Sequence, residues 1–595
     1  MHIAGLRAAY GRGLSPVDVI ARVFDIIDEV GDPGIFITLV EKRTLLESAR
    51  ALREQDRASL PLWGIPFAVK DNIAVAGLTI SAAAPAFARV ATKNANAVQR
   101  LLDAGALMIG KTNLDQFATG LVGVRTPYPV PRNSFNADFV PGGSSSGSAV
   151  AVARGIVAFA LGTDTAGSGR VPAGLNNIVG LKPSVGAVSS VGMMPACRTL
   201  DCVSVFATTV DDAWTVYKLI AGKDATDPYS RPIELGELSS PAPQSTIGIP
   251  RSDDLVFFGD EQAEAAWRAS VEILRGLGAN LVEVDFTPFF ETAKLLYDGP
   301  WVAERYAAQR TELETRPREV LPVTREVIEK ARSFSAADAF DGLYKLADLK
   351  LASGKVLATL DALVVPTVPT VPRLSELAAD PIGPNARLGT YTNFVNLLDL
   401  AAISVPGPFR PDGLPAGITL IGPRGGDSAL ASMGRAFHHA AGVPMGATGA
   451  PLPPPRSPSG NVSMAGRIEI AVVGAHLSGM ALNHELRDRG GLFLRAVDTE
   501  SSYRLFALPG GPPKRPGLVR VSAGTGFAIA TEVWSLPVEG FGRFVASVPA
   551  PLAIGTLLLQ DGTRPKGFLC ESAELEGAAH ISEFGGWRAF AAVQH

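Results

Sequence analysis

Serines set among glycines, with one upstream lysine, are the residues of this chain whose types and spacing could do chemistry. Residues 141–149 read PGGSSSGSA, residues 162–173 read GTDTAGSGRVPA, and residues 64–73 read GIPFAVKDNI. A serine attacks an amide carbonyl only when some group takes its proton. No histidine occurs between His2 and His438, so the base on offer is a lysine. Lysine can serve when burial beside apolar walls lowers its pKa. Lys70 ends the apolar run at 65–69, which predicts at least a buried stem. A solvated lysine is the plainer alternative. Gly142, Gly143, Gly147, Gly162, Gly167 and Gly169 permit backbone conformations that bring main-chain amides to a ligand. Such amides can hold an oxyanion, although a Ser/Gly-rich loop without chemistry has the same composition.

Two other matches carry weaker chemistry. GSSSG at 143–147 fits a nucleophile elbow centred on Ser145, which requires a histidine later in the chain. His438 and His439 are the candidates there, adjacent on one helix, a pattern commoner on surfaces. GALMIGKT at 105–112 fits the phosphate-loop pattern, but its middle residues Ala, Leu, Met and Ile suit a buried strand and not a phosphate-wrapping loop.

These residues need elements to position them. The sequence has 595 residues, too many for one core. Residues 445–466 contain four prolines within 451–455 and then small polar residues, which predicts an exposed, semi-rigid linker. It separates domains at 1–444 and 467–595. In the first, Ser15 and Pro16 open a helix over 17–30, 97–104 is a helix, and 66–69, 107–109 and 362–365 are short buried strands. That alternation predicts an α/β domain around a mixed sheet. The apolar stretch 148–163, broken by Arg154, is too short to span a bilayer and predicts a buried helix. In the second domain, strand-like runs recur at 469–473, 492–497, 503–508, 518–521, 528–534 and 556–559, which predicts an α+β or barrel-like fold.

Composition limits the function classes. With 54 basic and 58 acidic residues, the chain shows no polyanion-binding balance and no expected nucleic-acid partner. Three cysteines, Cys197, Cys202 and Cys570, suggest a reducing compartment and no disulfide framework. Scattered histidines and the lack of a CxxC pair argue against a metal site. The N-terminus has no signal-peptide pattern, so cytoplasm is the expected location and no membrane partner is expected.

Taken together and in this order, the three segments resemble the amidase-signature family. That resemblance implies a central mixed sheet flanked by helices and a Ser–Ser–Lys triad working without a cofactor. Ser168 is then the nucleophile, Ser144 a proton relay whose peptide bond with Gly143 is cis, and Lys70 the base. The oxyanion is held by the amides of Thr165, Ala166, Gly167 and Ser168, and Asp164 and Arg170 brace their loop. Ser146 and Ala166 depart from the family, which often has glycine at both. Longer passages at 118–128, 144–183, 194–207 and 392–406 are similar to the allophanate hydrolase subgroup, as are AVVGAHLSGMALN, GFLCE and FGGWRAF in the second domain. This resemblance implies a small planar anionic substrate, a homodimer, and a γ-glutamyl cyclotransferase-like α+β domain assisting a decarboxylation. Arginine suits a carboxylate. Arg305 is the candidate, with Tyr297 as hydroxyl donor, eight residues away and so about two helical turns. In the second domain His476 is the candidate proton-transfer group and Glu571 a weaker one. A general small-amide hydrolase or a tRNA-dependent amidotransferase subunit shares the fold, and a non-catalytic scaffold belongs to another class. The triad's presence disfavours the last.

Overall fold

The structure, a computed structural model, describes residues 1–52, 55–239, 245–454 and 466–593. It forms two compact units, one built mostly from residues before 455 and the other mostly from residues after 456.

The first unit is organised by an eleven-stranded mixed sheet. Its strands are β1 (Phe36–Leu39), β2 (Pro66–Lys70), β3 (Leu107–Thr112), β4 (Phe159–Asp164), β5 (Val179–Lys182), β6 (Cys202–Ala207), β7 (Thr246–Pro250), β8 (Asn280–Val284), β9 (Ala362–Pro366), β10 (Ala401–Pro406) and β11 (Gly417–Gly422). They lie in the order β1-β3-β2-β4-β6-β5-β10-β11-β9-β7-β8. β2 runs parallel to both neighbours, pairing Val69 with Lys111 on one side and Leu161 on the other. β4 pairs antiparallel with β6, Asp164 facing Cys202. Every residue of β2, β3, β4 and β6 is buried, as expected of strands covered on both faces. The helix Pro16–Val30 begins with Ser15 and Asp18 in a reciprocal capping box and Pro16 in the first turn.

The stretch 148–163 is not one helix. The helix Ser146–Ala153 stops at Arg154, Gly155 takes φ +70°, and the chain re-enters the sheet as β4. Either side of Arg154 the run is apolar, so it has no period that separates helix from strand. The phosphate-loop pattern is no phosphate loop. Residues 107–112 are strand β3, and Lys111 forms a buried ion pair with Asp71 at 2.9 Å.

The start of the predicted linker belongs to the first unit. Gly446 N–H donates to Asn177 O, Ala447 N–H to Ala153 O, and Asn177 Nδ2 to the carbonyls of Pro444 and Gly446. Residues 455–465 lie outside the described residues.

The second unit contains β12 (Arg467–Val472), β13 (Leu492–Asp498), β14 (Tyr503–Ala507), β15 (Pro516–Arg520), β16 (Ala530–Pro537), β17 (Leu552–Thr556), β18 (Lys566–Cys570) and β19 (Ala579–His580). A five-stranded sheet runs β13-β16-β12-β18-β17 and a three-stranded one β15-β14-β19. The expected strand at 556–559 is displaced. β17 ends at Thr556, and Leu557 and Leu559 instead insert into the core from a tight turn closed by Leu557 N–H to Pro565 O and Leu559 N–H to Thr563 O. With the helix Val538–Ala546 packed against β12 and β16, this unit is a smaller α+β domain.

Candidate active site

Lys70 ends β2 and is wholly buried, stem and amine alike. Its Nζ donates to Ser144 Oγ at 2.7 Å and to Thr163 Oγ1 at 2.8 Å. Thr163 belongs to β4, the neighbour of β2, so the sheet itself aligns these two groups. Burial pulls the Lys70 pKa down to about 7, with Asp115, Asp164 and Asp201 opposing the fall and Arg305 adding to it. A lysine in that range is substantially neutral at neutral pH and can accept a proton.

Ser144 is fully buried at the entrance to the helix Ser146–Ala153, and its peptide bond with Gly143 is cis. Its carbonyl accepts the Asp115 N–H at 3.1 Å, and Gly143 N–H donates to Leu121 O at 2.7 Å. A Cβ on Gly143 would stand 2.1 Å from Asp115 Oδ2, so glycine is required for this close approach. Asp115 in turn accepts the amides of Gly123 and Arg125 at 2.9 and 2.8 Å. Ser145 has a different role from its neighbour. Its hydroxyl donates to Thr163 O at 3.2 Å and accepts Thr163 N–H at 3.3 Å, which ties the serine loop to β4. His438 is buried, not a surface residue, and burial holds its pKa down at about 3.

The segment 165–170 joins the end of β4 to the helix Val171–Leu175. Asp164 accepts Gly169 N–H at 3.0 Å and a bidentate pair from Arg170, both bonds 2.9 Å. Arg170 also donates to Thr392 O and Asn396 Oδ1. Burial would raise Asp164, but Arg170 and the Gly169 amide outweigh it and hold the carboxyl below its usual value. Thr165 donates its hydroxyl to Asp201, which also accepts the amides of Ala196 and Cys197. Burial raises Asp201 to about 6. Gly167 takes φ +146°, and a Cβ there would meet Thr392 Oγ1 at 2.4 Å. Ala166 packs into a core with Phe286, Tyr391, Phe394 and Leu397, which accommodates its methyl group. Ser168 is buried within this braced loop.

Arg305 is 1% exposed. Its Nη2 donates to Tyr297 Oη at 2.9 Å, its Nη1 to Thr119 Oγ1 at 3.2 Å, and its Nε has no hydrogen-bond partner. Among the described residues no carboxylate lies within ion-pair distance of this guanidinium. The expected pairing of Tyr297 and Arg305 along one helical face is made across a break instead. One helix ends at Lys294, another begins at Val302, and Tyr297 lies in the turn between them, its ring 5.0 Å from the guanidinium carbon. Tyr297 and Arg125 both line a cavity of about 400 Å³.

In the second unit, His476 lines a cavity of about 290 Å³. Its Nε2 lies 3.4 Å from Glu485 Oε2, and its ring stacks on Phe568 and meets Phe544 edge-on. The turn carrying it is held by the buried Glu532, which accepts Ser478 N–H and Oγ–H at 2.8 Å and pairs with Arg588. Burial lowers the His476 pKa, and Glu485 opposes that. Glu571 is exposed and is not among the residues lining this cavity; Glu485 is the carboxylate beside the imidazole.

Residues 25–431 match the family model described as Amidase. The chain belongs to the amidase family. Residues 468–592 of this amidase match a second model, the allophanate hydrolase C-terminal domain. It is 43% identical to urea amidolyase of Saccharomyces cerevisiae over 572 residues, covering 93% of this chain and 31% of that protein. The amidase thus spans about a third of the length of that relative. It is 42% identical to urea amidolyase of Lachancea kluyveri over 576 residues, covering 94% of this chain and 31% of that protein. In structure it is similar to allophanate hydrolase of Kluyveromyces lactis, with TM-score 0.79 and 41% identity over 99% of this chain and 98% of that one. No helix among the described residues is long and apolar enough to cross a membrane.

Four residues of this amidase carry no mark in the sequence. Thr163 lies inside the 162–173 segment and Asp201 inside the 194–207 passage, but their parts, holding Lys70 and Thr165, become visible only through contacts between neighbouring strands. Asp115 stands in an ordinary-looking NLDQF segment, and Glu485, nine residues after His476, has no motif around it.

Proposed function

We propose that this amidase hydrolyses allophanate, urea with a carboxylate on one nitrogen, through Ser168, Ser144 and Lys70. The observation that carries the reading is the buried Lys70 amine, held near neutrality and 2.7 Å from Ser144 Oγ. Neutral Lys70 takes the Ser144 proton as Ser144 takes that of Ser168, and Ser168 attacks the terminal amide carbonyl. The amides of Thr165, Ala166, Gly167 and Ser168 hold the oxyanion. Ammonia leaves with the returned proton, and water then releases N-carboxycarbamate and frees Ser168. Ammonia release from allophanate, biuret, malonamate and simple amides tests the reading: allophanate is expected to be the best substrate. Preference for an uncharged amide would favour a general amidase instead.

Arg305 supports an anionic substrate, because a buried cation with no counter-ion among the described residues and an orphaned Nε is costly until an anion arrives. Arg305→Ala is expected to lower kcat/KM for allophanate on the order of 10²-fold more than for an uncharged amide. Equal losses on the two substrates would make Arg305 structural.

The domains at 1–444 and 467–595 divide the work in this proposal. The second removes carbon dioxide from N-carboxycarbamate, with His476 supplying the proton. His476→Ala is expected to leave ammonia release from the first step intact and to delay carbon dioxide, read by stopped-flow detection of both. Carbon dioxide appearing as fast as in the parent would return this domain to a role in assembly. A homodimer in the cytoplasm is the setting we propose. Phe340, Leu343, Tyr344 and Leu351 support the dimer. They recur at helical spacing on Ala336–Leu357, all half or more exposed, as one apolar stripe able to meet its own copy about a two-fold axis. Tyr344→Glu with Leu351→Glu is expected to halve the mass measured by light scattering; an unchanged mass would place the contact elsewhere. The reducing compartment is supported by three buried cysteines, none of them in a disulfide among the described residues.

A further inference from the structure

The cavity beside His476 has an uneven wall. Phe544, Phe568 and Leu552 make much of it apolar, while His476, Glu485 and Arg515 bring three ionisable groups to it. Arg515 immediately precedes β15, and its carbonyl accepts the Leu508 N–H at 3.0 Å, which fixes the backbone at the mouth of that strand. The same residue lines an adjoining cavity of about 390 Å³ made by the 508–513 turn and Ala550–Leu552. Its side chain is half-buried. Among the described residues no carboxylate lies within ion-pair distance of this guanidinium and no hydrogen bond holds it. The neighbouring arginine is employed otherwise: Arg489 donates to Glu485 O at 2.7 Å and lies over the Phe544 ring. A half-buried guanidinium facing a partly apolar cavity without a partner is a site awaiting an anion, and its fork matches a carboxylate in two-point contact.

We propose that Arg515 anchors a carboxylate-bearing ligand in this cavity and is a specificity-determining residue of the second step. The proposal rests on the reading that this domain acts on N-carboxycarbamate, a nitrogen carrying two carboxylates. Arg515 holds the carboxylate that is retained. The bond from nitrogen to the other carboxylate carbon breaks, its electron pair stays on nitrogen, and nitrogen takes one proton from His476. The products are carbon dioxide and carbamate. The aromatic part of the wall favours the departing group, which loses its charge and with it its need for water. His476 is within reach of the charge of Arg515, which lowers its pKa alongside burial while Glu485 raises it. The three ionisable residues therefore act on one another as well as on the ligand.

The test uses the full chain turning over allophanate, with ammonia and carbon dioxide followed separately by stopped flow. In Arg515→Ala carbon dioxide is expected to lag the first ammonia at least about tenfold more than in the parent, the usual scale for losing a charged hydrogen-bond partner. Arg515→Lys, which keeps the charge but not the fork, is expected to shorten that lag. Arg515→Gln, which keeps most of the stem, is expected to lag as the alanine variant does and serves where alanine does not fold. If carbon dioxide keeps pace in Arg515→Ala while His476→Ala lags, the anchor is wrong and the reading of the domain stands. Equal lags in the alanine and lysine variants assign the effect to packing and overturn the anchor. If neither Arg515→Ala nor His476→Ala lags, the reading of the domain fails and takes the anchor with it.

Discussion

Ser168→Ala is expected to cut ammonia release from allophanate by on the order of 10⁴-fold or more, with the protein still folded, because Ser168 is the proposed nucleophile and removing it would collapse the proposed triad as a unit. Ser145→Ala is the matched comparison. Its hydroxyl is occupied by both backbone groups of Thr163, so its loss should lower stability by about 1–3 kcal/mol as two buried backbone partners go unsatisfied. It should leave chemistry in place. Steady-state ammonia assays and thermal melts on both variants read the two effects. An inactive Ser145→Ala beside an active Ser168→Ala would make the GSSSG segment a nucleophile elbow after all.

Lys70→Ala is expected to lose about 10³-fold in kcat, within the range for a general base. The substitution also leaves Ser144 Oγ and Thr163 Oγ1 without the donor they share, so circular dichroism and a melting curve should accompany the rate. A folded Lys70→Ala protein with most of its activity would mean that another group takes the proton. Burial is the larger influence on Lys70 and the surrounding carboxylates the smaller, so mutating Asp201 to asparagine should lower the lysine's working pKa further.

Much of the positioning framework is legible in the amino-acid order. Five consecutive apolar residues before Lys70 predict a strand whose last side chain starts from the interior, and β2 is buried at every position. The helix from Pro16 is readable because Ser15, Pro16 and Asp18 satisfy its first turn locally. What stays hidden is non-local. Lys70 and Thr163 are 93 residues apart and meet because β2 and β4 are neighbours, an adjacency no spacing encodes. The stretch 148–163 misleads because a chain buried on all sides needs no amphipathic period, and only Gly155 hints at the switch from helix to strand. Tyr297 and Arg305 do pair, but not for the reason their spacing suggests. Two helical turns predict a shared face, whereas the chain breaks at 295–301 and the side chains meet across the turn. Glu485 is passed over in favour of Glu571 because a carboxylate beside an imidazole is a matter of tertiary placement, and GFLCE looks more like a motif than NHELR does.

The measurement that bears most directly on the central claim is the pH dependence of kcat/KM for ammonia release from allophanate by the parent enzyme, which reports the ionisation of the free enzyme's base over about pH 5.5 to 9. As the proposed base Lys70 must be neutral to act, and its pKa is lowered from the ordinary lysine value to about 7. The group is charged below that pH and neutral above it. The rate is therefore predicted to fall tenfold per pH unit on the acid side, to rise through about pH 7 and to level off above it. A rate independent of pH across this range, or one that falls as pH rises through 7, would contradict a buried neutral lysine as the base.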